Sequence, residues 1–200
     1  SGLTLVRGRQ ILMTILLITV IYGAFTEGFD RLWTAHILMN FTLPQVGDLN
    51  QIVWFGLISA VSVPVTLIAT ELVHRRVDLT NSHTIAQVLS VVYAGLMFSV
   101  LVFALGDSFL LILLGLWMAR VFRTVSYPLM EAWINQHTES NVRATVLSIQ
   151  GQADAFGQIT GGPVVGFIGA VSSVRIAISV SALMLTLMIG VFYRTLKRES

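Results

Sequence analysis

Six apolar runs recur along the 200 residues, each long enough to cross a hydrocarbon layer and each broken by only a short polar stretch. A helix needs about 20 apolar residues to cover roughly 30 Å of hydrocarbon, so the length holds six crossings with short connectors and little else. Composition agrees. Hydrophobic residues make up 55% and charged residues 11%, against a charged share of roughly 25% in soluble domains, so most of this surface is built for lipid. No run shows the strict alternation of a barrel strand, and a backbone facing lipid must satisfy its own hydrogen bonds. The expected fold is therefore an all-α membrane protein, a single domain of six transmembrane helices over 11–33, 52–72, 85–105, 109–129, 144–169 and 176–193.

The basic residues give the orientation, because short loops rich in lysine and arginine stay on the cytoplasmic side. Arg7, Arg9, Arg75, Arg76, Arg143, Arg194, Lys197 and Arg198 fall at one end of the drawn bundle, whereas the loops at the other end, 40–50, 106–108 and 170–175, hold only Arg175. Both termini are then expected in the cytoplasm, and the chain in the plasma membrane as a multi-pass protein. Trp33, Trp54, Trp133 and Tyr193 fall near proposed helix ends, as an interfacial belt would place them. The net charge of +2 comes from these scattered connectors and forms no basic face, so no nucleic-acid partner is expected. The first run lacks a small-residue cleavage site and has five equals behind it, so it reads as a span and not a signal peptide. The chain opens on Ser1 and is apolar within a dozen residues, which suggests a piece of something longer.

Ionisable residues inside a span are costly and seldom face lipid, so each is a functional candidate. Glu27, Asp30 and Arg31 lie toward the outer end of the first span, and Glu27 and Arg31, four apart, can pair on one helix face. Arg120 and Arg123 lie on the fourth span and Asp154 on the fifth. Counted from a hairpin centre near His137, Arg120 and Asp154 are equidistant at about 18 Å from the inner end, so the two are expected to meet at mid-bilayer. A carboxylate that exchanges an arginine partner for a proton can shift a balance between two conformations. Asp154 is the first candidate for that role and Glu27 the second.

The fifth span is also rich in glycine. Gly157 and Gly161, and likewise Gly162 and Gly166, share faces at spacings of four, where neighbouring helices can approach closely; Pro163 removes a backbone hydrogen bond and allows a hinge. Gln150, Gln152, Asp154 and Gln158 make the inner half of this helix unusually polar. His36, His74, His83 and His137 sit near loops without the i, i+4 pairing of a helical metal site, so surface histidines are expected and no metal or other cofactor. No serine-elbow, zinc-protease or phosphate-loop motif occurs, so an enzyme is not expected.

The six-span layout, and the string Glu131-Ala132-Trp133-Ile134-Asn135-Gln136-His137 running through Asn141-Val142-Arg143-Ala144-Thr145-Val146-Leu147-Ser148, resemble the C-terminal half of major facilitator superfamily transporters. Glu27-Gly28-Phe29-Asp30-Arg31-Leu32-Trp33 looks like the seventh helix of their drug-efflux branch, which includes macrolide-efflux-type exporters. The resemblance implies helices seven to twelve of twelve, with a missing N-terminal six-helix half related by an axis along the membrane normal. It also implies a small-molecule substrate between the halves, and the glycine-proline run is similar to an antiporter motif, which favours proton-coupled export of drug-like or amphipathic compounds. The stretch 71–78 keeps the arginines of the superfamily's loop motif, Arg75 and Arg76, but not its glycines. Two alternatives remain: a truncated or vestigial bundle without transport activity of its own, and, more distantly, a six-span channel or intramembrane enzyme.

Overall fold

The computed structural model describes residues 2–44, 50–77, 80–140 and 142–199. Asp78 of the loop motif and Asn141 of the connector string lie outside the described residues, as do the side chains of Arg7, Arg9, His74 and Arg198. The described chain is helical without strands: α1 (Gly2–Asn40), α2 (Gln51–Arg76), α3 (Ser82–Leu105), α4 (Phe109–Gln136), α5 (Arg143–Val171) and α6 (Val174–Glu199). The all-α expectation holds. Asn50, Asn81 and Ser108 set the starts of α2, α3 and α4, their side-chain oxygens accepting from the amides of Val53, Thr84 and Leu111, each satisfying one orphan donor of a first turn.

Five helices are long and apolar enough to cross a membrane, over Leu12–Asn40, Gln51–Val73, Ser82–Leu105, Phe109–Gln136 and Val174–Lys197. The sixth, α5, falls outside that group, because Gln150, Gln152, Asp154, Gln158 and its glycines dilute the apolar content. The first span also differs from its expected extent. Glu27, Asp30 and Arg31 look like a helix end in sequence, yet α1 continues to Asn40, whose side-chain amide donates to the His36 carbonyl at 2.9 Å. The charged triplet therefore lies well inside α1, with Asp30 about 15 Å of helix short of its end.

Packing places α5 on α1 and α6, α3 on α4 and α6, α1 on α6, and α2 on α4. The α1–α5 contact runs along one register: Gly157 against Val20, Gly161 against Ala24, Val165 against Gly28. Both partners advance by four residues, so the two helices are parallel and touch along single faces. No side chain would fit at Gly157 or Gly161. A Cβ on Gly161 would stand 2.5 Å from the Ala24 Cα, and one on Gly157 would overlap the Val20 backbone. Gly162 borders the Glu27 side chain, whereas Gly166 has nothing within 4 Å, so the second expected glycine face is only half used. The helix continues through Pro163 to Val171.

Elsewhere, α3 and α6 supply much of the core, with Phe103, Leu96, Ile178 and Phe192 fully buried. Trp133 joins them, 1% exposed against Phe192, and Trp33 sits well inside α1 against Phe55, so neither stands exposed at a helix end. His36 is likewise no surface histidine. It is fully buried, its Nε2 2.9 Å from the Phe103 carbonyl, because the prolonged α1 carries it against α3.

The α1–α5 register gives a direct test. Gly157→Val should destabilise the bundle by about 1–3 kcal/mol through overpacking, seen as a lower unfolding midpoint in detergent. Gly190→Ala, at a helix position with nothing within 4 Å, should leave the midpoint unchanged or raise it slightly, by up to about 1 kcal/mol. Equal behaviour of the two variants would contradict the close α1–α5 approach.

Candidate functional site

Three arginines and three carboxylates lie well inside α1, α4 and α5, each at least nine residues from a helix end, where an uncompensated charge in a membrane span is costly. Asp30 and Arg123 meet in a two-pronged ion pair, Nη1 to Oδ1 at 2.5 Å and Nη2 to Oδ2 at 3.0 Å. The parallel fork matches the geometry in which guanidinium and carboxylate bind most strongly. This pair crosses between α1 and α4, which are not otherwise among the packed helix pairs. Long side chains do what helix contact does not.

Glu27 and Arg31 pair on one face of α1 as the i, i+4 spacing suggests. Arg31 is largely exposed and Glu27 is not, so the carboxylate is the inner member, resting on Gly162 of α5. Together with Gln158, Ile159 and Pro163 they line a surface cleft of about 410 Å³.

Arg120 and Asp154 do not meet. Arg120 donates to the Ser62 hydroxyl of α2 at 3.2 Å and lies over the Trp33 ring, 5.0 Å from its centroid, a cation–π contact that replaces a counter-ion. Asp154 instead receives the Gln158 amide at 2.8 Å, and its backbone abuts Gly23. The expectation fails because it takes helices joined by a short connector to be neighbours. Here α5 turns its small-residue stripe to α1, and α4 lies against α2 and α3. Equal depth is not contact.

Between α1, α3, α4 and α5 this arrangement leaves a cavity of about 380 Å³, walled by Thr19, Tyr22, Tyr93, Ser126, Glu131 and Asp154 among others. Its position relative to the ion pair follows from the register. Asp30 lies about 12 Å along α1 from Tyr22, and Arg123 precedes Ser126 on the antiparallel α4, so the Asp30–Arg123 pair lies beyond the cavity lining on the side toward the C-terminal end of α1. Arg123 also lies within electrostatic reach of Tyr22 and of Asp154. One guanidinium thus stands between two carboxylates, bound to the first and sensed by the second.

Asp30 and Arg123 were both legible as candidates, but their pairing was not, since it joins residues 93 apart and no local spacing announces it. The tyrosine lining, Tyr22, Tyr93 and Tyr127, carried no sequence signal because aromatics in an apolar chain usually pack. Near the basic end, Arg75 pairs with Glu71 at 2.6 Å within α2, and Arg175 reaches Asp107 at the opposite end at 3.2 Å. No group of three or more metal-ligating side chains occurs among the described residues. No protein-family model matches the chain, and no curated protein matches it in sequence.

Double-mutant cycles should separate the two pairings. Asp30→Asn with Arg123→Gln should show a coupling energy of about 0.5–3 kcal/mol, the range for residues in one ion-pair network. Arg120→Gln with Asp154→Asn should couple by no more than a few tenths of a kcal/mol. The reverse ranking in detergent unfolding would place the partners wrongly.

Proposed function

We propose that the chain is one half of a secondary transporter, moving drug-like or amphipathic small molecules outward across the cell membrane in exchange for protons. The observation that carries this reading is the Asp30–Arg123 pair, a mid-span salt bridge between two helices that do not pack together, set over a cavity whose wall holds a further carboxylate. A structural staple would be expected between helices already in contact. Here side chains span the gap, this pair beside the Arg120–Trp33 contact, and such a bridge can open.

The coupling chemistry follows from the charges. With both carboxylates ionised, Arg123 is held by Asp30. A proton on Asp30 removes the stronger attraction and leaves the guanidinium to Asp154, whose charge already reaches it; deprotonation restores the first pair. Each exchange changes how firmly α1 and α4 are tied, and so biases the bundle between two arrangements. A substrate in the cavity contacts Asp154, the alternative partner of Arg123, which links its occupancy to the proton. Glu27 has its own arginine one turn away and is the weaker candidate.

The exposed polar side supports a second bundle facing this one. Asp30, Arg31, Thr124, Glu131 and Gln152 are all exposed, and hydrocarbon cannot solvate them; protein or a water-filled path between two six-helix halves can. In this reading α5, too polar to face lipid on all sides, crosses as the sixth span with its polar face turned to that path, and both termini lie in the cytoplasm. The layout matches the major facilitator resemblance of the sequence.

Two measurements test the proposal. In vesicles carrying the full-length protein, efflux of a fluorescent drug driven by a pH gradient should fall at least tenfold in Asp30→Asn and Asp154→Asn, while drug exchange without a gradient persists. Gradient-driven efflux at the wild-type rate in both variants would refute the coupling role. For orientation, the absence of cysteine allows single-cysteine labelling. Ser140→Cys should react with an impermeant maleimide only from the cytoplasm and Ser172→Cys only from outside.

A further inference from the structure

The end of the bundle opposite Arg75, Arg143 and Arg194 carries a polar junction that the proposed function leaves unused. There the last turns of α1 and α3 and the first turn of α6 come together near His36. Its Nε2 lies 2.9 Å from the Phe103 carbonyl, one of the last four of α3 and so without an amide partner in its own helix. The ring stands edge to face with Phe103 and with Phe41, centroids 4.8 and 6.0 Å away. Arg175 of α6 lies over the Phe41 ring, 5.9 Å from its centroid, and reaches Asp107 at 3.2 Å. Helices α1 and α3 are not among the closely packed pairs. Ring contacts, Tyr22 with Tyr93 and Phe29 with Phe103, and the His36 hydrogen bond join them.

The surrounding hydrogen bonds fix the form of the imidazole. A carbonyl only accepts, so Nε2 carries a proton. The Asn40 side chain donates to the His36 carbonyl at 2.9 Å, which sets its amide nitrogen toward the ring, 3.3 Å from Nδ1. A donor faces Nδ1, so Nδ1 accepts and the ring is neutral. A second proton would bring two donors head to head, at a fully buried residue and within electrostatic reach of Arg175. Asp107 gives little relief, since it is engaged by Arg175 and 93% exposed. The Phe103 carbonyl accepts from either form and does not discriminate between them.

We propose that His36 is an acid-sensitive latch, tying the ends of α1, α3 and α6 together while neutral and loosening them when protonated. A protonated ring needs an acceptor at Nδ1. The Asn40 amide oxygen can serve only by turning round, which gives up the bond to the His36 carbonyl and frees the last turn of α1. Phe41 and the arginine above it move with that turn. The sign follows from which state takes the proton. An opened junction exposes the imidazole to water, where it charges near pH 6.5, whereas the closed junction has places for the neutral ring alone. The latch therefore holds above about pH 6.5 and weakens as the pH falls below it. This device goes beyond the transporter reading and does not depend on it.

Spin labels on Met39→Cys and Leu105→Cys, exposed positions at the ends of α1 and α3, report on the junction directly in the purified full-length protein, and this chain has no native cysteine to compete. From about pH 7.5 to about pH 5.5, across the ordinary histidine range, the wild-type spacing between labels should broaden. Over the same interval the unfolding midpoint should fall by roughly 2–4 °C. His36→Gln, whose amide can donate to the Phe103 carbonyl but cannot titrate, should lose most of both effects. Arg175→Gln, away from the core, should keep less than half of the midpoint shift, and His83→Gln, at the other end of α3, should keep all of it. A wild-type spacing or midpoint indifferent to pH would overturn the latch. So would an acid response of wild-type size in His36→Gln or, where that variant does not fold, in Arg175→Gln.

Discussion

The contact on which the rest of the bundle depends is the one between α1 and α5. Gly157 and Gly161 bring α5 so close to Val20 and Ala24 that a single methyl group would not fit. In a lipid-facing protein, where apolar side chains gain little from leaving one apolar medium for another, such close van der Waals approach is a main source of helix association. Its consequence is topological. Because α5 spends its small-residue face on α1, it has none left for α4, and the hairpin partners of the sequence are parted in space. The space between them is the cavity.

The charges then arrange themselves around that space. Arg120 turns to Ser62 of α2 and the Trp33 ring of α1, and Arg123, one turn on, reaches Asp30 of α1. An arginine at this depth without a partner would be expensive, and each of the two has found a different solution: an aromatic face with a hydroxyl, or a bidentate carboxylate. Only the second depends on a group that can take a proton. This asymmetry is why Asp30 and Arg123, and not Arg120, carry the coupling in the proposed mechanism, with Asp154 as the alternative acceptor.

Much of this was legible in the sequence, though unevenly. Hydropathy located every described helix, because apolar length acts locally. The inward role of Gly157 and Gly161 was legible from their spacing of four, and the polarity of α5 from its glutamines. The end of α1 was not, since Glu27, Asp30 and Arg31 resemble a terminus to any reading that weighs residues singly; the structure continues the helix because the triplet is paired and Thr34 to Met39 resumes the apolar pattern. The expected Arg120–Asp154 contact failed for a different reason. Depth along a helix can be counted, but which helices are neighbours depends on faces from the whole chain, and here Val20 and Ala24 decide the neighbour of Asp154. His36 shows the same limit, becoming a core residue only because Phe103, 67 positions away, offers its carbonyl.

The same physics explains why the least apolar helix is also the most informative. On α5 the buried residues are Val146, Gly157, Gly161 and Val165, a narrow stripe, leaving Gln152, Phe156, Ile159, Thr160 and Phe167 exposed. Phe156, Ile159 and Phe167 would be at home in lipid or against another protein, but Gln152 would not, and Asp154 and Gln158 lie between the two environments. A helix so divided needs two solvents on its two sides. In the proposed transporter, keeping such a helix at a boundary between lipid and a polar path gives up some burial, and it suits alternating access: a face wetted in turn from either side while its charges remain paired.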